Sequence, residues 1–208
     1  MYTEVFTHHP APGKGANLRE VLEERSKAAN SASSPHLVGQ LLYAEEPTLV
    51  NAIRHESLAA LEDYGNRRVT DPNFQAFLSK TAAADARPPS IALYENLVAA
   101  RPTGGVHYAL WRTFYSSPGK AGELRAAIEK RAQTSSPGAV GKVVYSQIHG
   151  PDRNHFVLIT LFPSLGAYEG YLKAQPTDPS VQAFAAQVGG LAAGGRSDLY
   201  RVLLPFPA

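Results

Sequence analysis

The sequence predicts an α+β fold in which two βαββαβ repeats in one chain form a single intrachain α+β barrel. Three observations carry this. The 208-residue chain repeats itself in collinear order. Each copy alternates strand and helix signals in one sequence. And a sheet with helices on one face still needs its second face covered, which a second copy can do.

The repeat is direct. PGKGANLREVLEER at 12–25 matches PGKAGELRAAIEKR at 118–131, with identities at Pro12, Gly13, Lys14, Leu18, Arg19, Glu23 and Arg25. Ser34-Pro35 then answers to Ser136-Pro137, Gly39 to Gly141 and Tyr43 to Tyr145. SLAALEDY at 57–64 pairs with SLGAYEGY at 164–171, and DPNFQAF at 71–77 with DPSVQAF at 178–184. Leu93-Tyr94 and Leu97 pair with Leu199-Tyr200 and Leu203. Five collinear matches define a duplication. On this reading the offset runs from 106 to 102 to 107 and back to 106, through small loop insertions. The first repeat spans 1–98, a linker 99–105 and the second repeat 106–208.

Glu4–His9 and Val106–Tyr115 are rich in β-branched and aromatic residues and read as strands. Pro-Gly-Lys follows as a turn. Leu18, Val21, Leu22, Ala28 and Ala29 recur at helical spacing, as do Leu124, Ala127, Ile128 and Ala132. Second strands are expected at Leu37–Ala44 and Ala139–Gln147. Third strands are expected at Leu49–His55 and His155–Phe162. Ser57 and Ser164 stand as N-caps of the next helical pattern. Asp71-Pro72 and Asp178-Pro179 read as an N-cap followed by Pro in the first turn. Phe74, Phe77 and Leu78, with Val181, Phe184 and Ala185, mark one helical face. Gly189-Gly190 and Gly194-Gly195 are expected to end the last helix. Strands around Leu93–Leu97 and Leu199–Leu203 close each unit. The order is that of a ferredoxin-like sheet.

Charge nearly cancels at +2 and 44% of residues are hydrophobic. No basic block points to nucleic acid, and no long apolar run points to a membrane span. The absence of Cys excludes disulfides and thiol nucleophiles. A cytoplasmic protein is the expectation.

The ordered motifs resemble the dimeric α+β barrel superfamily. LWRTFYSSPGK at 110–120 and EVFTHHPAPGK at 4–14 are similar to the opening strand of NIPSNAP-like proteins. The Ser-plus-helix element also resembles antibiotic-biosynthesis monooxygenases. The resemblance covers nearly the whole chain twice. It implies a small-molecule pocket and a fold that hosts cofactor-independent oxygenases, haem enzymes and isomerases. In haem-degrading relatives a His near the end of the second helical element holds iron. The matching positions here are Leu78 and Ala185, and the strand Asn of those relatives falls on Phe6 and Arg112. Haem degradation by that route is not expected.

If β-alternation follows the relatives, Tyr2, Glu4, Phe6 and His8 face the barrel interior, with Tyr108, Leu110, Arg112 and Phe114 from the second copy. Glu4 as proton acceptor, His8 as acid/base and Arg112 as anion binder form the candidate catalytic set. Tyr64, Tyr171, Phe6, Phe114 and Tyr108 are the candidate ligand-binding residues. The plainer reading is that Glu4 and Arg112 pair or reach the barrel mouth. The pocket with Arg112 is the favoured half. His55 across the sheet from His8 is the one arrangement that suggests metal, and no metal site is expected. Gly13-Lys14-Gly15 lacks phosphate-loop spacing, and no nucleophile elbow is present.

Two readings stay open. One is an oxygenase or isomerase acting on a small apolar molecule without a tightly bound cofactor. The other is a non-catalytic ligand-binding or interaction protein. A cavity of several hundred cubic ångströms lined by Arg112 and Tyr171 is expected of the first, and a filled interior of the second. A homodimer of the two-repeat chain is compatible with either.

Overall fold

The computed structural model describes residues 1–31, 35–99, 102–150 and 155–207. Ser34 of the first Ser-Pro pair and Ala100-Arg101 of the expected linker lie outside the described residues. The first repeat is β1 (Tyr2–His8), α1 (Gly15–Ser31), β2 (His36–Leu41), β3 (Leu49–His55), α2 (Leu58–Thr70), α3 (Pro72–Ala82) and β4 (Ser90–Val98). The second is β5 (Tyr108–Ser116), α4 (Ala121–Gln133), β6 (Gly141–His149), β7 (His155–Phe162), α5 (Leu165–Ala174), α6 (Pro179–Gly189) and β8 (Ala192–Leu204). All eight strands join one closed barrel order, β1-β3-β2-β8-β5-β7-β6-β4. The predicted α+β barrel class is the one observed.

Local signals explain the element starts. Gly13 and Gly119 take φ of 76° and 74°, which the Pro-Gly-Lys turns need and a side chain resists. The Ser57 and Ser164 hydroxyls accept from the backbone N–H of Ala60 and Ala167. Asp71 and Asp178 cap α3 and α6 through the N–H of Asn73 and Ser180. Those Asp-Pro pairs also divide the second helical stretch, so each repeat has three helices where two were expected. Pro72 lacks an N–H to donate backwards, so α2 ends just before it, while α5 ends at Ala174, ahead of Pro176.

Two compact units result. One is Met1–Tyr94 with Val202–Ala208, and the other is Glu95–Arg201. In the first, Leu18 and Leu22 of α1 pack with Val38, Leu49 and Ala84. In the second, Leu124 and Ile128 of α4 pack with Val144, Phe156 and Leu158. These four helix residues are fully buried, and each contributes about 1.5–3 kcal/mol by leaving water.

Two sequence expectations are corrected. Gly194-Gly195 does not end a helix: α6 stops at Gly189, and the pair lies inside β8. Gly195 is required by contact, because a Cβ there would collide with the carbonyl oxygen of Thr113 on β5. The second strands also align differently. Val38 pairs with Asn51, and Val144 pairs with Leu158. Asn51 and Leu158 are themselves equivalent, each six residues before its N-cap Ser. Val38 therefore answers to Val144, His36 to Lys142 and Gly39 to Tyr145. The apparent Gly39–Gly141 and Tyr43–Tyr145 matches are out of register.

Candidate active site

β1 pairs antiparallel with β3, setting Glu4 opposite Ile53, Phe6 opposite Asn51 and His8 opposite Leu49. Glu4, Phe6 and His8 share one face, as alternation requires. That face looks onto the helices of its own unit. Phe6 packs with Ile53 and Tyr64 of α2, Glu4 meets Arg68 of α2, and His8 shares a cavity with Phe77 and Thr81 of α3. The expected barrel-interior orientation is thus corrected to the helix-facing side. In the second unit Arg112 and Phe114 likewise meet α5 and α6. Alternation tells which residues share a face but not which side the helices cover. Burial offers no help either, since Thr3 and Val5 on the other face are 0% and 4% exposed.

The space between this face and the helices is a cavity of about 520 Å3, within the usual range for small-molecule sites. Its walls are mostly apolar: Phe6, Ile53, Phe74, Phe77, Leu78 and Ile91. Phe74, Phe77, Leu78 and Thr81 present one stripe of α3.

Polar side chains also enter this lining, among them three arginines, Arg25, Arg68 and Arg87. His8 Nδ1 lies 2.7 Å from Asp85 Oδ2, and the two side chains are 4% and 3% exposed. Asp85 arrives there because the segment after α3 bridges back to the end of β1, with Pro10 opposite Asp85. Backbone bonds from Ala11 N to Ala84 O and from Ala86 N to His9 O hold it. The carboxylate fixes the imidazole through Nδ1 and leaves Nε2 for chemistry. Asp85 Oδ1 and Asn51 Oδ1 are buried without a hydrogen-bond partner, a state that favours a ligand donor.

Tyr64 supplies a further polar group. Its hydroxyl lies 3.3 Å from His36 Nε2, and its ring sits 5.2 Å from that of His55. Burial raises the Tyr64 pKa above its ordinary value, against the lowering pull of Arg68 and Arg25. The hydroxyl therefore stays protonated near neutrality. Arg68, one helical turn on, lies over the rings of Phe74, Tyr64 and Phe6 at 4.4, 5.1 and 5.2 Å. Its charge is met by Glu4 Oε2 at 3.2 Å. Glu4 is thus an ion-pair partner here.

The second unit is built differently at the same places. Ala11 N to Ala84 O has its counterpart in Ser117 N to Leu191 O, and Pro10–Asp85 in Ser116–Ala192. Ala192 therefore stands where Asp85 does, and Phe114 where His8 does. Both members of the dyad are apolar in this unit. Arg112 replaces Phe6, and Gln175 replaces Arg68. Arg112 donates to Gln175 Oε1 at 2.7 Å and lies 5.4 Å over the Tyr171 ring. Together with Phe114, Val181, Phe184 and Val188 they line a groove of about 410 Å3. Tyr171, 2% exposed, packs on Phe162 at 5.2 Å and is not part of the groove wall, and neither is Tyr108. The larger cavity belongs to the half with His8, Phe6 and Tyr64.

His55 does not approach His8. It pairs with Tyr2, at the other end of the strand. Among the described residues no group of three or more His, Asp or Glu side chains could hold a metal. Leu78 and Ala185 do line the cavity and the groove, but neither has an atom that could ligate haem iron. Asp85 had no sequence signal, since it lies outside every regular element and 77 positions from its partner.

Comparison with solved structures agrees with this architecture. A candidate monooxygenase from Fusobacterium nucleatum superposes with a TM-score of 0.77 at 10% identity, over 97% of this chain and 92% of that one. One from Lactobacillus acidophilus gives 0.73 at 12%, over 99% and 95%. An anthrone oxidase-like protein gives 0.67 at 18%, over 97% and 91%. What these structures share with this chain is the fold, two ferredoxin-like repeats in one α+β barrel. No family profile matches the sequence, and no curated protein does. No helix among the described residues is long and apolar enough to cross a membrane.

Proposed function

We propose that the cavity of the first unit binds a small, ring-bearing apolar molecule and that His8, oriented by Asp85, removes an acidic proton from it. The observation that carries this reading is the buried His8–Asp85 pair in the wall of a cavity whose exposed lining is mostly apolar. Positioned general bases contribute roughly 10²–10⁴-fold. Tyr64, kept protonated by burial, donates to the oxygen on which negative charge develops.

Proton removal opens two outcomes. Reprotonation at another carbon is an isomerisation. Transfer of electrons to dioxygen converts an activated CH2 and O2 to C=O and H2O, a balanced oxygenation that draws on no other reductant. The structural likeness to candidate monooxygenases and to an anthrone oxidase-like protein supports the second, and an oxygenase is the reading adopted.

Anthrone, a neutral ring system with an activated methylene, is a suitable probe. Oxygen uptake should accompany its conversion to the quinone. Under anaerobic conditions the protein should still exchange the methylene protons with D2O. His8→Ala and Asp85→Asn should slow that exchange at least about a hundredfold. Exchange at the wild-type rate in both variants would overturn the assignment of the base.

A further inference from the structure

We infer that the groove of the second unit is a binding site of its own, taking a small amphipathic carboxylate with its charge on Arg112 and its apolar body along Phe114, Val181, Phe184 and Val188. The argument starts from what has replaced what. In the first unit Glu4 neutralises the guanidinium of Arg68. At the Glu4 position the second unit has Leu110, as the ladder shows: Glu4 faces Ile53, and Leu110 faces Thr160. Among the described residues no carboxylate lies within 4.0 Å of Arg112. Its hydrogen-bond partner is the neutral Gln175 amide.

A charge on an apolar groove without a counter-ion has an unmet electrostatic demand. Other cations of this unit add to it. Arg131 is 4% exposed and bonds to Ser136 and Thr134, and Lys142 donates to the backbone carbonyls of Arg131 and Thr134. Among the described residues neither has an acidic side chain within 4.0 Å. Burial first, then Arg131 and last the field of Arg112 hold the Lys142 pKa down. Asp178, capping α6, is the acidic group that acts on Lys142 in return. The planar two-pronged guanidinium suits a carboxylate. With Phe114 and Ala192 in place of the dyad, the groove has no base at the His8 position, so the site binds without that chemistry.

Decanoate is the probe, with decanol as its uncharged counterpart. Calorimetric titration of the full chain should show decanoate binding at least ten times more tightly than decanol. Arg112→Gln should abolish that preference. Gln175→Glu places a carboxylate beside Arg112, as Glu4 is beside Arg68, and should weaken decanoate binding tenfold or more in a chain whose thermal midpoint is unchanged. His8→Ala should leave decanoate affinity as it is, which separates this site from the first cavity. Equal binding of decanoate and decanol would overturn the inference, and so would full decanoate affinity in Gln175→Glu.

Discussion

Arg68 and Arg112 stand at non-equivalent positions of the two repeats, one on a helix and one on a strand. Yet each holds its guanidinium over the tyrosine of its own unit, 5.1 Å from the Tyr64 ring and 5.4 Å from the Tyr171 ring. The cation–aromatic contact persists while the residue that supplies it changes. What differs is the counter-charge: Glu4 on Arg68, an amide on Arg112.

Replacing Glu4 by the residue of the other repeat tests that difference. Glu4→Leu leaves Arg68 unneutralised beside the cavity, so 4-nitrophenolate should bind on the order of tenfold more tightly, about 1.4 kcal/mol. Absorbance titration at pH 8 reads this directly. An unchanged affinity would show that Arg68 does not face the ligand.

The His8–Asp85 pair lends itself to a double-mutant cycle. His8→Phe alone strands a buried carboxylate whose other oxygen already lacks a partner, and should destabilise by about 3–5 kcal/mol. Adding Asp85→Ala reproduces the Phe114/Ala192 pair of the second unit and should recover most of the loss. Urea unfolding of the four proteins measures the coupling. Additive losses would mean that the two side chains do not depend on each other.

Gly194 and Gly195 are neighbours with opposite tolerances. A Cβ at Gly195 meets the Thr113 carbonyl, whereas one at Gly194 meets nothing within 4 Å. Gly195→Ala should cost about 1–3 kcal/mol, or a few degrees of melting temperature for each kcal/mol in a chain of this size. Gly194→Ala should cost little. Calorimetric melts of both variants decide it, and equal melts would remove the contact argument.

Lys142 makes stability depend on alkaline pH. Burial first, and Arg131 next, lower its pKa from 10.5 to about 8. Between those values the unfolded chain holds a proton that the folded one has released. Stability from this group therefore rises as pH climbs from about 8 toward 10.5, and is at its least below 8. The urea midpoint of wild type relative to Lys142→Gln should rise across that window. A flat difference would contradict the lowered value.

Local chemistry was readable from the residues alone. Ser57, Ser164, Asp71 and Asp178 act within three positions of themselves, so composition reveals their caps. Gly195 was misread because its reason lies on another strand, at Thr113. Phe6, His8 and Tyr64 were recognisable as site candidates through alternation and repeat alignment. Their orientation was not, because both faces of β1 are buried. Asp85 was invisible, since only the bridge to Pro10 gives it a partner.

The first unit includes Val202–Ala208. Leu203 and Leu204 pack on the Leu18–Leu22 cluster, and Phe206 lies 4.1 Å under the Arg54 guanidinium. During synthesis the chain leaves the ribosome N-terminus first, at roughly 5–20 residues per second. The half that emerges first therefore waits for residues around 206 before it is complete. The cavity that holds His8 is lined by residues up to Ile91, but one of its walls, Phe77, packs on the same cluster as Leu203 and Leu204, so a prematurely terminated chain loses part of the packing behind its earliest-made half.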